Sequence, residues 1–454
     1  MDPPRAEHHH LRGLTMTVTG PALQMLRSEA QGLLTRIDRM VPFALRTPML
    51  PAAAVPLSAQ VAIEQHLLTR RRKLRAMVTG YLRWLDSRQG RSAPLPLVQR
   101  RFSFLRLRFI AILSQLDIFA DVINQRCEHD TGVWLSGLDV FAADALELPV
   151  KYYQAPPVIC FLERGAGAAI RRARTRLPGG DESPVAVIQI PRERMIGSGI
   201  ASSLVHEVGH QGAALLGLIE SLRPELRKAA MSAGPEKIAW TCWERWISEI
   251  LADFWAVAKL GVSATVGLMA VVSLPRTFVF RVDMEDPHPA PWIRVKLSCA
   301  MGQALYPHPQ WDMLARIWEA FYPRDGLDAE RQQLFALLEN AISRFVRLLL
   351  EHRPGSLGGR TLRVAVASID RQPARLNALH RSWRASPLLM RDAPPSLVFA
   401  VIGQAKMDGA ITPEEESRVL TELLRYWALK ITLDTSAICA TIPVNMKNHP
   451  SISI

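Results

Sequence analysis

The chain is poor in cysteine, and none of its cysteines forms a CxxC pair. Cys127, Cys160, Cys242, Cys299 and Cys439 are widely scattered and odd in number. That pattern argues against a disulfide framework and for reduced thiols in a cytosolic-type compartment. Long apolar runs are also missing. The run from Val262 to Leu274, bounded by Lys259 and Pro275-Arg276, is too short to span a bilayer and predicts a buried helix. The opening residues, MDPPRAEHHHLRGLTMT, contain no apolar h-region, so no secretory signal is expected. Their histidines His8 to His10 read as part of a loose tail. No internal repeat is found. Together these absences predict a soluble, cytoplasmic protein without an integral membrane span.

Acidic charge is in deficit. Asp and Glu number 42 against 55 Lys and Arg, giving a net charge of +13. The basic residues are overwhelmingly Arg and spread along the chain, densest at RRRKLR, Arg70 to Arg75, inside a predicted helix. This spread favours a solvated basic surface over a nucleic-acid or acidic-membrane partner. A nucleic-acid role would require strongly salt-dependent association.

What is present is enough for a large fold. The 454 residues are 48% hydrophobic, which suits two or three domains with a sizeable core. From Gly20 to about Ala145, apolar residues recur at three and four spacing. Three helices are predicted there, separated by TPMLPAAAVPLS and SRQGRSAPLPL. Near residue 150 the texture changes. PPVICFL and SPVAVIQIP, bounded by Pro and Gly, predict two short strands with a loop, RLPGGDESP, between them. Helices resume near Gly199. The fold class expected is mainly α with a small β-sheet, in three regions: 1–150, 151–325 and 326–454.

The stretch SSLVHEVGHQGAALLGLI places His206, Glu207 and His210 in an otherwise apolar helix. Residues four apart lie one turn above each other, so His206 and His210 present two imidazoles to one point. Glu207 is turned about 100° away and can reach a water there without being a ligand. This is the H-E-x-x-H arrangement of zinc hydrolases. A catalytic zinc takes a third protein ligand and keeps one position open. Downstream, WERWISEILADFWAVAKL surrounds Glu249 and Asp253 with apolar residues. A carboxylate on such a face is costly unless it meets a cation. Glu249 is therefore the expected third ligand, with Glu244 as the alternative. Asp253, one turn on, is placed to accept the free ring N–H of a ligand histidine. Gly209 and Ala252 would let the two helices approach closely.

HEVGH followed by SEILAD resembles the gluzincin metallopeptidases, whose second motif is E-x-x-A-D. DPHPAPWIR, Asp286 to Arg294, is similar to the His-Pro-Pro-x-x-x-Arg segment of the CAAX-prenyl endopeptidases and their bacterial heat-shock membrane relatives. The likeness covers roughly residues 185–297. It differs in having Pro-Ala-Pro in place of Pro-Pro, and in lacking flanking membrane spans. The resemblance implies a zincin-like core and Zn2+ held by His206, His210 and Glu249. It implies Glu207 as general base and acid, and His288 as a stabiliser of the tetrahedral intermediate. Arg294 would orient Glu249 or Asp253, or contact substrate. PVAVIQIP would be a sheet edge that binds extended peptide.

In the C-terminal region, GQAKMDGAITPEEESRVLTELL carries Asp408-Gly409, but Gln404 and Lys406 are poor calcium ligands. Thr412-Pro413-Glu414-Glu415 reads as a helix start with Thr412 as its cap. The pattern is similar to a TerB-like helical module, at 395–430. The last stretch, TIPVNMKNHPSISI, reads as a loose tail. The expected activity is zinc-dependent endopeptidase action on a protein or peptide substrate. The alternative is a non-proteolytic, zinc-stabilised scaffold. Trp292, Trp255 and Phe254 are expected in the core.

Overall fold

The computed structural model describes residues 19–163, 168–178, 180–191 and 197–441. The histidines His8 to His10 and the last residues of the C-terminal tail lie outside these, as does the side chain of Cys439. Three long helices come first: α1 (Thr19–Arg39), α2 (Leu57–Asp86) and, after the single turn α3 (Arg88–Arg91), α4 (Leu95–Gln125). Their contacts follow the predicted period. Leu26, Ala30, Leu33 and Ile37 line one side of α1 and meet Leu74, Val78 and Tyr81 of α2 and Phe102, Leu105 and Phe109 of α4. The lower halves of α2 and α4 continue past this bundle. There Ile63, Leu67, Phe119 and Ile123 cover one face of a sheet.

That sheet has three strands in the order β1-β3-β2. β1 (Val158–Glu163) runs parallel to β3 (Ala186–Pro191), and β2 (Ala169–Arg171) runs antiparallel to β3. Side chains alternate between faces. Ile159 and Val187 point to α2 and α4, whereas Val158, Cys160, Ala186 and Ile188 point into a second, larger core. Burial on both faces explains why β1 and β3 read as continuous apolar runs. α5 (His129–Leu146) belongs to the larger core through Trp134, Leu138 and Phe141, although it precedes residue 150. A buried ion pair ties these layers together. Arg126 meets Asp139 at 2.9 Å, and the two side chains bond the carbonyl and amide of Cys160 in β1.

The larger core is helical. α6 (Ser198–Leu215) and α7 (Leu218–Ser232) lead to α8 (Lys237–Leu260), which is buried along most of its length. α9 (Val262–Val272) is the buried helix predicted from the apolar run. The four-residue α10 (Arg276–Val279) precedes α11 (Pro291–Leu305), α12 (Gln310–Phe321) and α13 (Ala329–Glu351). Trp255, Trp292 and Phe254 all pack in this core, as expected. Two short helices, α14 (Leu362–Val366) and α16 (Pro387–Asp392), flank α15 (Pro373–Ala385). α17 (Pro395–Met407) and α18 (Pro413–Thr441) then fold back onto α5 and α9, with Phe399 stacked on Phe141 at 4.0 Å. Thr412 caps α18 as expected, accepting the Glu415 amide at 3.2 Å. Among the described residues, no helix is long and apolar enough to cross a membrane.

Candidate metal centre

Two helices make the centre, and a missing side chain lets them meet. A Cβ on Gly209 would stand 2.8 Å from the Ala252 Cα and from the Trp255 Cβ, closer than carbon atoms pack. Only glycine fits on α6 at that crossing. Gly212, one turn on, rests on the Trp255 ring, and the Trp255 indole donates to the Ala145 carbonyl at 2.9 Å. Trp255 is thereby the fixed plate against which α6 lies. α9 holds the other side, where the Ser202 hydroxyl donates to the Ala264 carbonyl at 3.1 Å. The start of α6 is held from the far end of the chain. Gly197, with φ +76, leaves room for the buried Glu416 carboxylate of α18, which Lys406 pairs at 2.7 Å.

On this frame the side chains of His206, His210 and Glu249 converge, with one ligand-type atom from each within 4.8 Å of the others. The Glu249 carboxylate is shared. His206 Nε2 lies 3.2 Å from Oε2, and His210 Nε2 lies 3.4 Å from Oε1. Ligands on a tetrahedral ion with bonds of about 2.0–2.1 Å stand about 3.3 Å apart. The spacing and the mixed nitrogen–oxygen donors are compatible with a divalent ion held by these three residues. Each imidazole has its other nitrogen engaged. His206 Nδ1 meets Asp253 Oδ1 at 2.8 Å, and the weaker contact of His210 Nδ1 is with the Ser248 hydroxyl at 3.4 Å. Arg294 clamps Asp253 from behind with two bonds of 2.7 and 2.9 Å. A bidentate clamp fixes the carboxylate plane, and through it the His206 ring.

The electrostatics follow from burial set against these partners. Burial disfavours a charged His206, but Asp253 and Glu249 outweigh it and push the ring up to about 9. Burial would lift Asp253, yet Arg294 and His206 hold it down at about 2. Burial would lift Glu249 too, but the two imidazoles keep it well below the usual carboxyl range. Glu207 is the exception. It is buried, makes no hydrogen bond or ion pair among the described residues, and burial raises its proton affinity against the pull of both histidines. Its carboxylate faces a cleft of about 150 Å³ shared with His206, Asp253, His288 and Arg294.

The sequence-predicted residues thus come together. His206, Glu207, His210, Glu249, Asp253, His288 and Arg294 all stand at one centre. His288 is at its rim, half exposed, with Nε2 3.2 Å from Glu249 Oε2. Of the orientations open to Arg294, the bonds to Asp253 are the ones formed, and Glu249 stays 3.9 Å away. Glu244 does not join. It pairs with Arg227 at 2.8 Å. Two residues were missed. Asp286 binds both the amide and Nδ1 of His288, at 2.9 and 2.7 Å, and Ser248 sits behind His210. Each is near in sequence to a residue already singled out, so a search for partners of those ring nitrogens would have found them. One expectation needs correction. PVAVIQIP is not a sheet edge, because β3 is the central strand; β2 is the short strand on its outer side. Adjacent to β2, Ala168 lines the cleft.

No family model, no curated protein and no solved structure matches this chain.

Proposed function

We propose that this protein is a zinc-dependent metallopeptidase, with His206, His210 and Glu249 as the metal ligands. The observation that carries the reading is a juxtaposition: a converging His-His-Glu set, of which His206 lines the same cleft as a buried Glu207 that has no hydrogen-bond or ion-pair partner among the described residues. A zinc ion bound there would supply Lewis acidity towards a peptide carbonyl and make water more acidic. The chain's own groups do the rest. Glu207 takes a proton from the attacking water as its oxygen bonds the carbonyl carbon. It returns that proton to the amide nitrogen as the C–N bond breaks. A carboxylate with raised proton affinity suits both transfers. His288, steadied by Asp286, is the donor available to the oxyanion. Arg294 and Asp253 keep the His206 ring turned so that its Nε2 faces inward. An extended peptide along β2 is the mode of substrate binding consistent with the strand order. A cytoplasmic setting is part of the proposal, supported by the absence of disulfides among the four described cysteines.

The test is Glu207→Gln against the parent in a peptide-library digest, with metal content measured on both. The variant is expected to keep its metal and to lose cleavage by about 10²–10⁴-fold. Equal cleavage by both proteins would refute the assignment. A metal-loaded parent that cleaves nothing, but melts earlier once chelated, would favour the zinc-stabilised scaffold.

A further inference from the structure

α4 carries apolar residues on the wrong side. Val98, Phe102, Leu105 and Phe109 form its buried line against the bundle. Leu97, Phe104, Leu107 and Ile110 lie across the opposite surface, exposed by 40%, 58%, 62% and 50%. Their spacing of seven, three and three keeps them on one side of the helix. An outward apolar ridge of this kind calls for a surface to cover it.

The charge around the ridge is of one sign. Between Ser87 and Leu116 the chain has Arg88, Arg91, Arg100, Arg101, Arg106 and Arg108, and no Asp or Glu. Arg101 lies over the Trp84 ring at 4.1 Å, and Arg100 lies 5.8 Å from the Phe104 ring. Among the described residues, no carboxylate pairs with Arg100, Arg101 or Arg106. The arginine cluster that stands out in the sequence behaves differently. Arg70 and Lys73 are tied to Asp181, and Arg75 to Asp38. Beside the ridge, α2 and α4 part to leave a groove of about 340 Å³, apolar in its walls and flanked by Arg101 and Arg108.

We propose that this face of α4 docks on an anionic phospholipid surface, independently of the metal centre. The ridge enters the boundary between headgroups and acyl chains, while the arginines meet lipid phosphates. A second copy of the chain is a poor occupant, because two faces of the same sign repel. Nucleic acid would use the arginines, but Leu97, Leu107 and Ile110 offer it neither a stacking ring nor a hydrogen bond.

The full chain is floated with phosphatidylcholine vesicles, with and without phosphatidylserine. Association is expected with the anionic vesicles, weakening as salt is raised. The combined variant Phe104→Ser, Leu107→Ser and Ile110→Ser is expected to bind them at least about tenfold less. Arg100→Gln, Arg101→Gln and Arg106→Gln together should lose about as much on anionic vesicles. Circular dichroism and melting of both variants verify that the fold is kept. The proposal fails if the parent ignores anionic vesicles, or if the serine variant binds as the parent does. It fails equally if single-stranded RNA displaces the vesicles and still binds the serine variant. It also fails if that variant changes only self-association.

Discussion

The two ends of this molecule break the usual inside–outside rule in opposite ways. Around α6 and α8, charged residues are buried. In α4, large apolar residues are exposed. The first departure is compensated within the fold: Arg294 bonds Asp253, Asp253 bonds His206, and His206 and His210 meet Glu249. The second is not compensated within the described residues. Leu97, Phe104, Leu107 and Ile110 face solvent, and Arg100, Arg101 and Arg106 meet no carboxylate. A departure that is paired inside, with Glu207 alone left without a partner among the described residues, fits the site proposed for a small ion. One that is left open points to a partner with an extended surface.

Substitutions can break this comparison. Asp253→Ala would take from Arg294 both of its short carboxylate bonds and from His206 Nδ1 its carboxylate partner. Removing one partner of a buried charged set costs about 3–5 kcal/mol, so a large loss on chemical denaturation is expected. A loss below about 1 kcal/mol would mean that the centre is not the tightly compensated unit described. Gly209→Ala comes next. Alanine's helix preference, worth about 1 kcal/mol, is opposed by a methyl set 2.8 Å from α8. Net destabilisation of about 1–3 kcal/mol is expected, visible as a lower Tm. An unchanged or raised Tm would show that α6 and α8 can separate freely.

The pH dependence sharpens the same point. In the folded chain without metal, the His206 ring is held at about 9, above its ordinary value of 6.5. Its stabilising contribution is therefore complete below pH 6.5 and is lost as pH rises through 9. At pH 8 the ring carries a proton that it must give up to bind metal. Calorimetry in buffers of different ionisation enthalpy should find about one proton released per zinc bound. No release would mean either that the ring is already neutral at pH 8 or that His206 lies outside the ligand set. The smallest effect is expected at the other end. The triple serine variant of α4 should unfold within about 1 kcal/mol of the parent, because those side chains are half or more exposed and lie outside the buried line of α4. A larger loss would mean that the ridge serves the fold.

How much of this was legible in the sequence depended on whether the signal was local. His206 with His210, and Glu249 with Asp253, are pairs four apart on single helices, and helical geometry alone turns each pair to one side. The joint between the helices was legible too, through Gly209 in an otherwise apolar run. β2 was not legible. It has three residues, the last an arginine, too few for an alternation to register. The central position of β3 was hidden for another reason, since strand order is a long-range property that no local pattern encodes. The outward ridge of α4 was hidden because apolar residues stand on both sides of that helix. Only packing shows which line is buried. Likewise, nothing near Gly197 announces the Glu416 carboxylate that fills its space from α18.

The proposed function stands on whether His206, His210 and Glu249 hold one divalent ion between them. The most direct measurement is elemental analysis of the purified chain beside Glu249→Ala, prepared identically. The expected result is about one zinc per parent chain and close to none in the variant. Equal metal in both, or a parent that takes up no divalent ion when zinc is supplied, would contradict it.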